Sequence, residues 1–534
     1  MKIVASAYQR SIIPKRLSSL PGAVVPLLLV LATGLALALL PLTWAAALLM
    51  ASAALLLILL RPHYGLYLLI FAIPFGSLKE VQISGFTVGA TELLVALTLA
   101  AWLARRMARR ALEIEPTPLL LPMALLLGVI LLSFTVARSL PLALKETLKW
   151  LELFIAYLLV VNGLPGRRQA GVMVALLLLA GAAEALVGLG GSLLRMGPPS
   201  YAILGGRLYR AFGTFGQPNP FGGYINLVWP LAFSVALGFL LEVRTRTGEL
   251  RGTGGNSWVA VMALLFALGL LLSALILSWS RGAWLSAGAA VAVVAGAWSW
   301  SLIAGRSSVE QARHMRRRAL GLLWLGLVLG GLLVLGGALD LLPPTVTARL
   351  GSVIEASIPV DVSNVEVTDE NFATIERLAH WQAALGMWRD HPWLGVGIGN
   401  YVAAYPRYAL PRWDDPLGHA HNYYLNIAAE TGLVGLIAYL LFLVAAFWQA
   451  WQVSLRASHP LALWNTSYPR SDSVEAVYST GLARGVAIGV LGLLTALSTH
   501  SLFDNLYVHG MGIQVGLALG LVHLVARQLD EECA

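Results

Sequence analysis

The chain has 534 residues, of which 58% are hydrophobic and 12% charged, with a net charge of +9 and a mean hydropathy of +0.75. That balance excludes a soluble globular domain. The basic residues sit in short clusters between apolar runs, which is a pattern of membrane topology and not of nucleic-acid binding. The single cysteine, Cys533, excludes an intrachain disulfide or a cysteine zinc cluster.

Apolar runs of about 20 residues, the length a hydrocarbon core requires, recur from Gly22 to the C-terminus. They are continuous instead of alternating, so helices are expected and a barrel is not. Residues 1–21 carry Lys2, Arg10, Lys15 and Arg16 ahead of the first run, as a signal peptide does. Further spans follow without a clear cleavage site, so the run reads as an uncleaved first helix. About fourteen spans are expected, near 22–40, 43–60, 64–80, 86–104, 117–136, 143–163, 170–194, 219–241, 257–279, 282–303, 319–339, 431–452, 482–500 and 510–526.

A cytoplasmic N-terminus places the arginine clusters at Arg105–Arg110, Arg167–Arg168, Arg244–Arg251 and Arg306–Arg318 inside, so one orientation satisfies all of them. The expected fold class is therefore all-α, a polytopic membrane helix bundle of about 12 to 14 transmembrane helices with one large, partly helical extracytoplasmic loop. Residues 1–340 hold about 11 spans, 341–430 the loop, and 431–534 about three more spans. Within the loop, Asp369 or Thr368 is suited to cap a helix running toward Trp388, with Arg377, Trp381, Ala384 and Trp388 on one face and His391-Pro392 ending it. Gly395, Gly397 and Gly399 then form a turn.

Three polar constellations fall on the outer side. In the first, Arg207 and Arg210 precede Gln217-Pro-Asn219-Pro at the start of the eighth expected span. A guanidinium offers a rigid fork of donors matched to phosphate and keeps its charge, so an anion site is one reading and a snorkelling interface arginine is the other. The second is Ser278-Trp-Ser280-Arg281-Gly282-Ala-Trp284, between two apolar runs with no polar loop. A cation there is expensive unless it faces a cavity or a partner, the alternative being a helix-end arginine holding backbone carbonyls.

The third is Gly418-His419-Ala-His421-Asn422, followed by Asn426, Glu430, Gly432 and Gly435. Asn422, Asn426 and Glu430 share a face if the stretch is helical. Histidine accepts a proton near neutrality, which suits His421 to a general base. A metal site is the other reading of two histidines two residues apart; it lacks helical ligand spacing and an obvious carboxylate cage. Adjacent Asp414-Asp415 reads as a solvated turn. Glu184, inside an apolar run, reads as pairing with an arginine to hold two helices together. Lys145, Glu146, Lys149 and Glu152 have helical spacing and read as an amphipathic or interfacial segment.

These residues resemble the O-antigen ligase family, which also includes O-antigen polymerases and protein O-oligosaccharyltransferases. The resemblance rests on His421-Asn422 followed after nine residues by Gly432-x-x-Gly435, on Arg377 with Trp381, and on Pro392-Trp-Leu-Gly395-Val-Gly397. Ser280-Arg281-Gly282-Ala-Trp284 and Arg210 with Phe212-Gly213-Thr214 and Asn219-Pro220 complete it. It implies a metal-independent, inverting glycosyltransferase of the bacterial inner membrane that uses an undecaprenyl-diphosphate-linked glycan. The implied acceptor is a hydroxyl of a lipid A-core sugar or another surface glycan.

By carry-over His421 is the general base, and Arg210 and Arg281 are diphosphate ligands; Arg207, Arg377, Asn422, Gln217 and Asn219 are further candidate substrate-binding residues. The implied partners are donor, acceptor and membrane lipids, with no nucleic acid and no cofactor. A polymerase or a protein-glycosylating enzyme of the same family remains an alternative. A lipid or solute transporter would need related halves and broken helices at mid-membrane, and the polar groups lie at the outer edge instead.

Overall fold

The computed structural model describes residues 40–76, 81–83, 86–246, 254–304, 365–368, 371–457 and 480–533, with positions 34 and 362. The expected spans at 22–40 and 319–339, and the first part of the long loop, lie outside the described residues. The chain divides into two units, residues 1–61 and 62–534. The first contributes one described helix, α1 (Leu42–Leu60), apolar on all sides. Everything below concerns the second unit.

It begins with α2 (His63–Phe75) and a two-stranded antiparallel hairpin of β1 (Val81–Ile83) and β2 (Phe86–Val88). Then come α3 (Ala90–Ala108), α4 (Leu120–Leu132), α5 (Leu140–Gly163) and α6 (Arg167–Leu193). A second short hairpin, β3 (Ala202–Ile203) with β4 (Leu208–Tyr209), leads to α7 (Pro218–Asn226), α8 (Trp229–Arg246), α9 (Gly254–Leu277) and α10 (Arg281–Ala304). After the loop helices α11 (Phe372–Asp390) and α12 (Tyr401–Ala404) the chain ends in α13 (Tyr423–Arg456), α14 (Thr480–His500) and α15 (Met511–Cys533).

Among the described residues eight helices, or helix pairs, are long and apolar enough to cross a membrane: 42–60, 167–193, 218–241, 258–277, 281–302, 423–456, 481–500 and 511–530. Two shorter apolar stretches, His63–Phe75 and Leu120–Val136, coincide with expected spans but have fewer residues than a full crossing needs. The other two expected spans correspond to α3, which ends in Arg105 and Arg106, and to α5, which carries the lysines and glutamates of its first half. The expected span at 86–104 is trimmed by the second strand of the first hairpin, Phe86–Val88, and α2 ends at Phe75, short of the expected 80.

Helices α14 and α15 and the α7–α8 pair are the most enclosed of these spans, α14 against α8, α10 and α13, and α15 against α5. Small residues permit the approach: a Cβ on Gly238 would meet the Gly481 carbonyl, and one on Gly516 the Leu153 carbonyl. Outward-facing leucines and phenylalanines such as Leu121, Leu179, Leu186 and Phe266 stay exposed. An exposed apolar girdle of this kind fits a lipid surround.

At the end of the bundle away from the long loop, the Glu115 carboxylate accepts hydrogen bonds from Arg527 (2.7 Å) and from His523 Nε2 (3.2 Å). Arg106 donates to the Asn162 and Ala111 carbonyls at the same end.

Candidate active site

The segments that carry the three constellations meet at the other end of the bundle. Thr368 and Asn371 exchange hydrogen bonds, Thr368 N–H to Asn371 Oδ1 (2.8 Å) and Asn371 N–H to Thr368 Oγ1 (3.4 Å), and so open α11. This helix runs to Asp390 before His391-Pro392, as the sequence implies. The glycine turn then docks on the start of α13. Val396 N–H donates to the Ala429 carbonyl and Gly397 N–H to the Glu430 carbonyl, while the Glu430 carboxylate accepts from Gly399 (2.9 Å) and Tyr401 (3.1 Å) N–H groups. Glu430 is thus spent on the start of α12. Asn426 accepts from Ala420 N–H (3.0 Å), and Asn422 caps α13 by accepting from Leu425 N–H (3.1 Å).

Two glycines have no substitute here. Gly395 (φ +65°) and Gly432 (φ +67°) sit in the left-handed region, and a Cβ on either would lie within 2.3 Å of the other segment's backbone. Gly432 is also where α13 kinks.

This latch holds His421 immediately before α13. Its φ of 51° is left-handed, an uncommon conformation outside glycine, and three hydrogen bonds surround it. Tyr423 N–H donates to the Ser501 carbonyl (2.7 Å), Trp381 Nε1 donates to the His421 carbonyl (3.4 Å), and His421 N–H donates to His419 Nδ1 (3.0 Å). That last bond makes Nδ1 of His419 an acceptor and so assigns its proton to Nε2, 3.5 Å from Asp504 Oδ1. His421 Nδ1 lies 3.6 Å from the same oxygen. Both ring nitrogens of His421 are screened from solvent and make no hydrogen bond among the described residues.

The electrostatics favour a neutral His419 beside a fixed anion. Burial pushes His419 down to about 4, against the opposing pull of Asp504. Asp504 stays well below the usual carboxylate range: burial alone would raise it, but the adjacent imidazoles of His421 and His419 and the charge of Arg377 outweigh that. His380 on α11 is pushed down to about 4, chiefly by burial. Its Nδ1 lies 3.0 Å from the Tyr401 hydroxyl, and its ring stacks on Tyr405 and stands edge-on to His421.

Arg377, half-buried on the same helix, makes no hydrogen bond or ion pair among the described residues, and its charge is felt at Asp504 and His500. It is therefore available to an anionic ligand.

The arginine constellations are joined to one another. Arg210 Nε donates to the Ser278 carbonyl (3.0 Å) and its Nη2 to Asn219 Oδ1 (3.2 Å), and Ala211 N–H donates to the Leu277 carbonyl. Arg281 starts α10, and a Cβ on the adjacent Gly282 would come 3.5 Å from Phe503 and 3.6 Å from His500 Nε2. The 500–504 segment thereby links the arginine side to the histidines. Arg207 and Gln217 are exposed, Arg207 at the turn of the second hairpin and Gln217 just ahead of α7, without contact to this cluster.

Glu184 differs from the sequence expectation. Its partner is Thr214, whose N–H (2.7 Å) and hydroxyl (3.1 Å) both donate to it, and not an arginine. The role is still structural, since Thr214 belongs to the turn that precedes α7.

Asp504, His500 and His380 were not anticipated. The sequence signal for the first two was a run of polar residues, His500-Ser501 and Asp504-Asn505, at the end of one apolar span and in the short gap before the next. His419, His421 and Asp504 also bring three potential ligand atoms within 4.8 Å of one another. The carboxylate missing from the sequence motif is therefore present in the fold.

Residues 266–440 match the family model described as O-Antigen ligase, which identifies this part of the chain as an O-antigen ligase domain. The match takes in Arg281, Arg377 and His421 but neither Arg210 nor Asp504. No curated protein matches the chain.

Proposed function

We propose that the protein moves a glycan from undecaprenyl diphosphate to an acceptor hydroxyl, on a lipid A-core sugar or another surface glycan, at the extracytoplasmic face of the inner membrane. His421 Nε2 takes the acceptor proton. The freed oxygen forms a bond to the anomeric carbon as the bond to the diphosphate breaks on the opposite side, so the configuration inverts. The lipid diphosphate leaves with the bonding pair, and the guanidinium groups of Arg210, Arg281 and Arg377 compensate its charge. Asp504, facing Nδ1 of His421, stabilises the imidazolium that forms.

The observation that carries the proposal is the unspent imidazole of His421, held in a left-handed conformation with the Asp504 carboxylate 3.6 Å from one nitrogen. A histidine kept only for packing has no need of that arrangement.

Substitution separates the base from the binders. In His421→Ala, donor binding should persist while transfer falls by roughly 10²- to 10⁴-fold, the usual contribution of a general base. Arg281→Ala should weaken both, with Lys restoring only part because it lacks the planar fork. Near-normal transfer by His421→Ala would refute the assignment of the base. Transfer should also survive EDTA. Loss in EDTA with recovery on adding a divalent ion would instead make His419, His421 and Asp504 a metal site.

A further inference from the structure

A second polar feature lies at the same end of the bundle and takes no part in the chemistry above. It is a cavity of about 290 Å³ between the end of α2, the start of α3, the first half of α5 and residues 507–513. That volume is at the lower edge of small-molecule sites, ~300–1,000 Å³, and leaves room for a short saccharide but not for a polymer.

Its walls carry three carboxylates, Glu92, Glu146 and Glu152, and two ammonium groups, Lys145 and Lys149. Lys149 and Glu146 are paired at 2.6 Å. Both bonds to Glu92, from Gly89 N–H and the Thr91 hydroxyl, land on Oε2 and leave Oε1 unused. Glu152 and Lys145 make no hydrogen bond or ion pair among the described residues. The rings of Trp150 and Tyr507, with centroids 4.9 Å apart, also line the space.

This mixture selects a ligand class by elimination. The carboxylates repel a phosphate or other anion, and the ammonium groups repel a metal cation. A neutral, hydroxyl-rich molecule is served by both, donating to Glu152 and Glu92, accepting from Lys145, and resting a C–H face on the aromatic pair.

We propose that this cavity is the subsite for the acceptor's sugar, an inference that rests on glycan transfer as the reaction. Its position supports the acceptor over the donor. The loop from Ser501 to Gly510 has Phe503 beside the arginine segment, Asp504 against both histidines, and Tyr507 to Gly510 in the cavity wall. Along this loop the cavity wall lies beyond Asp504 from the arginine segment, and its carboxylates disfavour the diphosphate that the arginines attract, which leaves the acceptor as its occupant.

The test reads binding without transfer. The full chain in nanodiscs is examined by saturation-transfer NMR with free glucose, galactose, mannose and N-acetylglucosamine. At least one sugar should give a signal, and Glu152→Gln and Lys145→Met should each weaken its binding ~10-fold, the loss expected for one charge-assisted hydrogen bond. Lys145 is exposed, so its replacement keeps the test valid if Glu152→Gln fails to fold. His421→Ala should retain the signal while losing transfer, which separates failure of this subsite from failure of the reaction itself. The absence of a signal from all four sugars, or a signal unchanged in both cavity variants, would overturn the proposal.

Discussion

At the scale of residues, the roles divide by what each polar group has already spent. Asn422, Asn426 and Glu430 use their side chains on backbone groups of the latch, whereas His421 uses neither nitrogen. Asp504 is the residue that couples the two histidines. Asp504→Asn keeps the shape but removes the charge that stabilises the imidazolium, so kcat should fall by roughly 10²-fold while donor binding holds, measured by single-turnover transfer and by donor titration. A loss of donor binding as large as the loss of kcat would make Asp504 part of the donor site. The motif around His421 was legible in the sequence because its residues are contiguous. Asp504 was not, because only the fold brings it there from a loop near the C-terminus.

A pH dependence follows from the same residues. His380 and His419 are held at about 4 in the folded protein, against about 6.5 when exposed. Between those values the unfolded chain binds more protons than the folded one, so stability rises with pH across that window and falls as pH drops through it. The thermal midpoint should be lower at pH 5 than at pH 7. His380→Phe should reduce the difference, and an unchanged slope in that variant would contradict this origin.

At the scale of elements, the latch between the glycine turn and α13 is what places the base. Gly432→Ala would push a methyl group into the Trp393 backbone and add left-handed strain, whereas Gly418, also left-handed, faces open space. Gly418→Ala should therefore cost only the strain, about 1–3 kcal/mol, and Gly432→Ala more, with activity lost alongside, as judged by thermal midpoints of the two variants. Equal midpoints would show that the close approach at Trp393 is not needed.

Helix positions were readable from apolar runs of sufficient length, and the end of α11 from the following proline, whereas its cap is Asn371 in place of the expected Asp369 or Thr368. The first hairpin was not readable, because residues 64–104 read as two apolar runs whose ends gave no sign of strands. The start of α13 at Tyr423 was readable as a condition, from the four-residue spacing of Asn422, Asn426 and Glu430, although the expected span began only at 431.

At the scale of the whole molecule, the described arginine clusters at Arg105–Arg110 and Arg167–Arg168 and the polar site fall at opposite ends of the bundle. In a Cys533→Ser background, cysteines at Gln217 and Leu417, both exposed at the site end, should be labelled by an impermeant reagent in intact cells. One at Arg109 should be labelled only after permeabilisation. The reverse pattern would put the site in the cytoplasm and remove the proposed reaction from the face where the acceptor is presented.

The most direct measurement is made on the purified chain in liposomes, supplied with undecaprenyl-diphosphate-linked glycan and a lipid A-core acceptor and followed by mass spectrometry. The account predicts an acceptor heavier by the glycan, undecaprenyl diphosphate released in equal amount, and neither product from His421→Ala. Glycan-bearing acceptor formed equally well by that variant, or donor carried across the bilayer with its diphosphate bond intact, would contradict it.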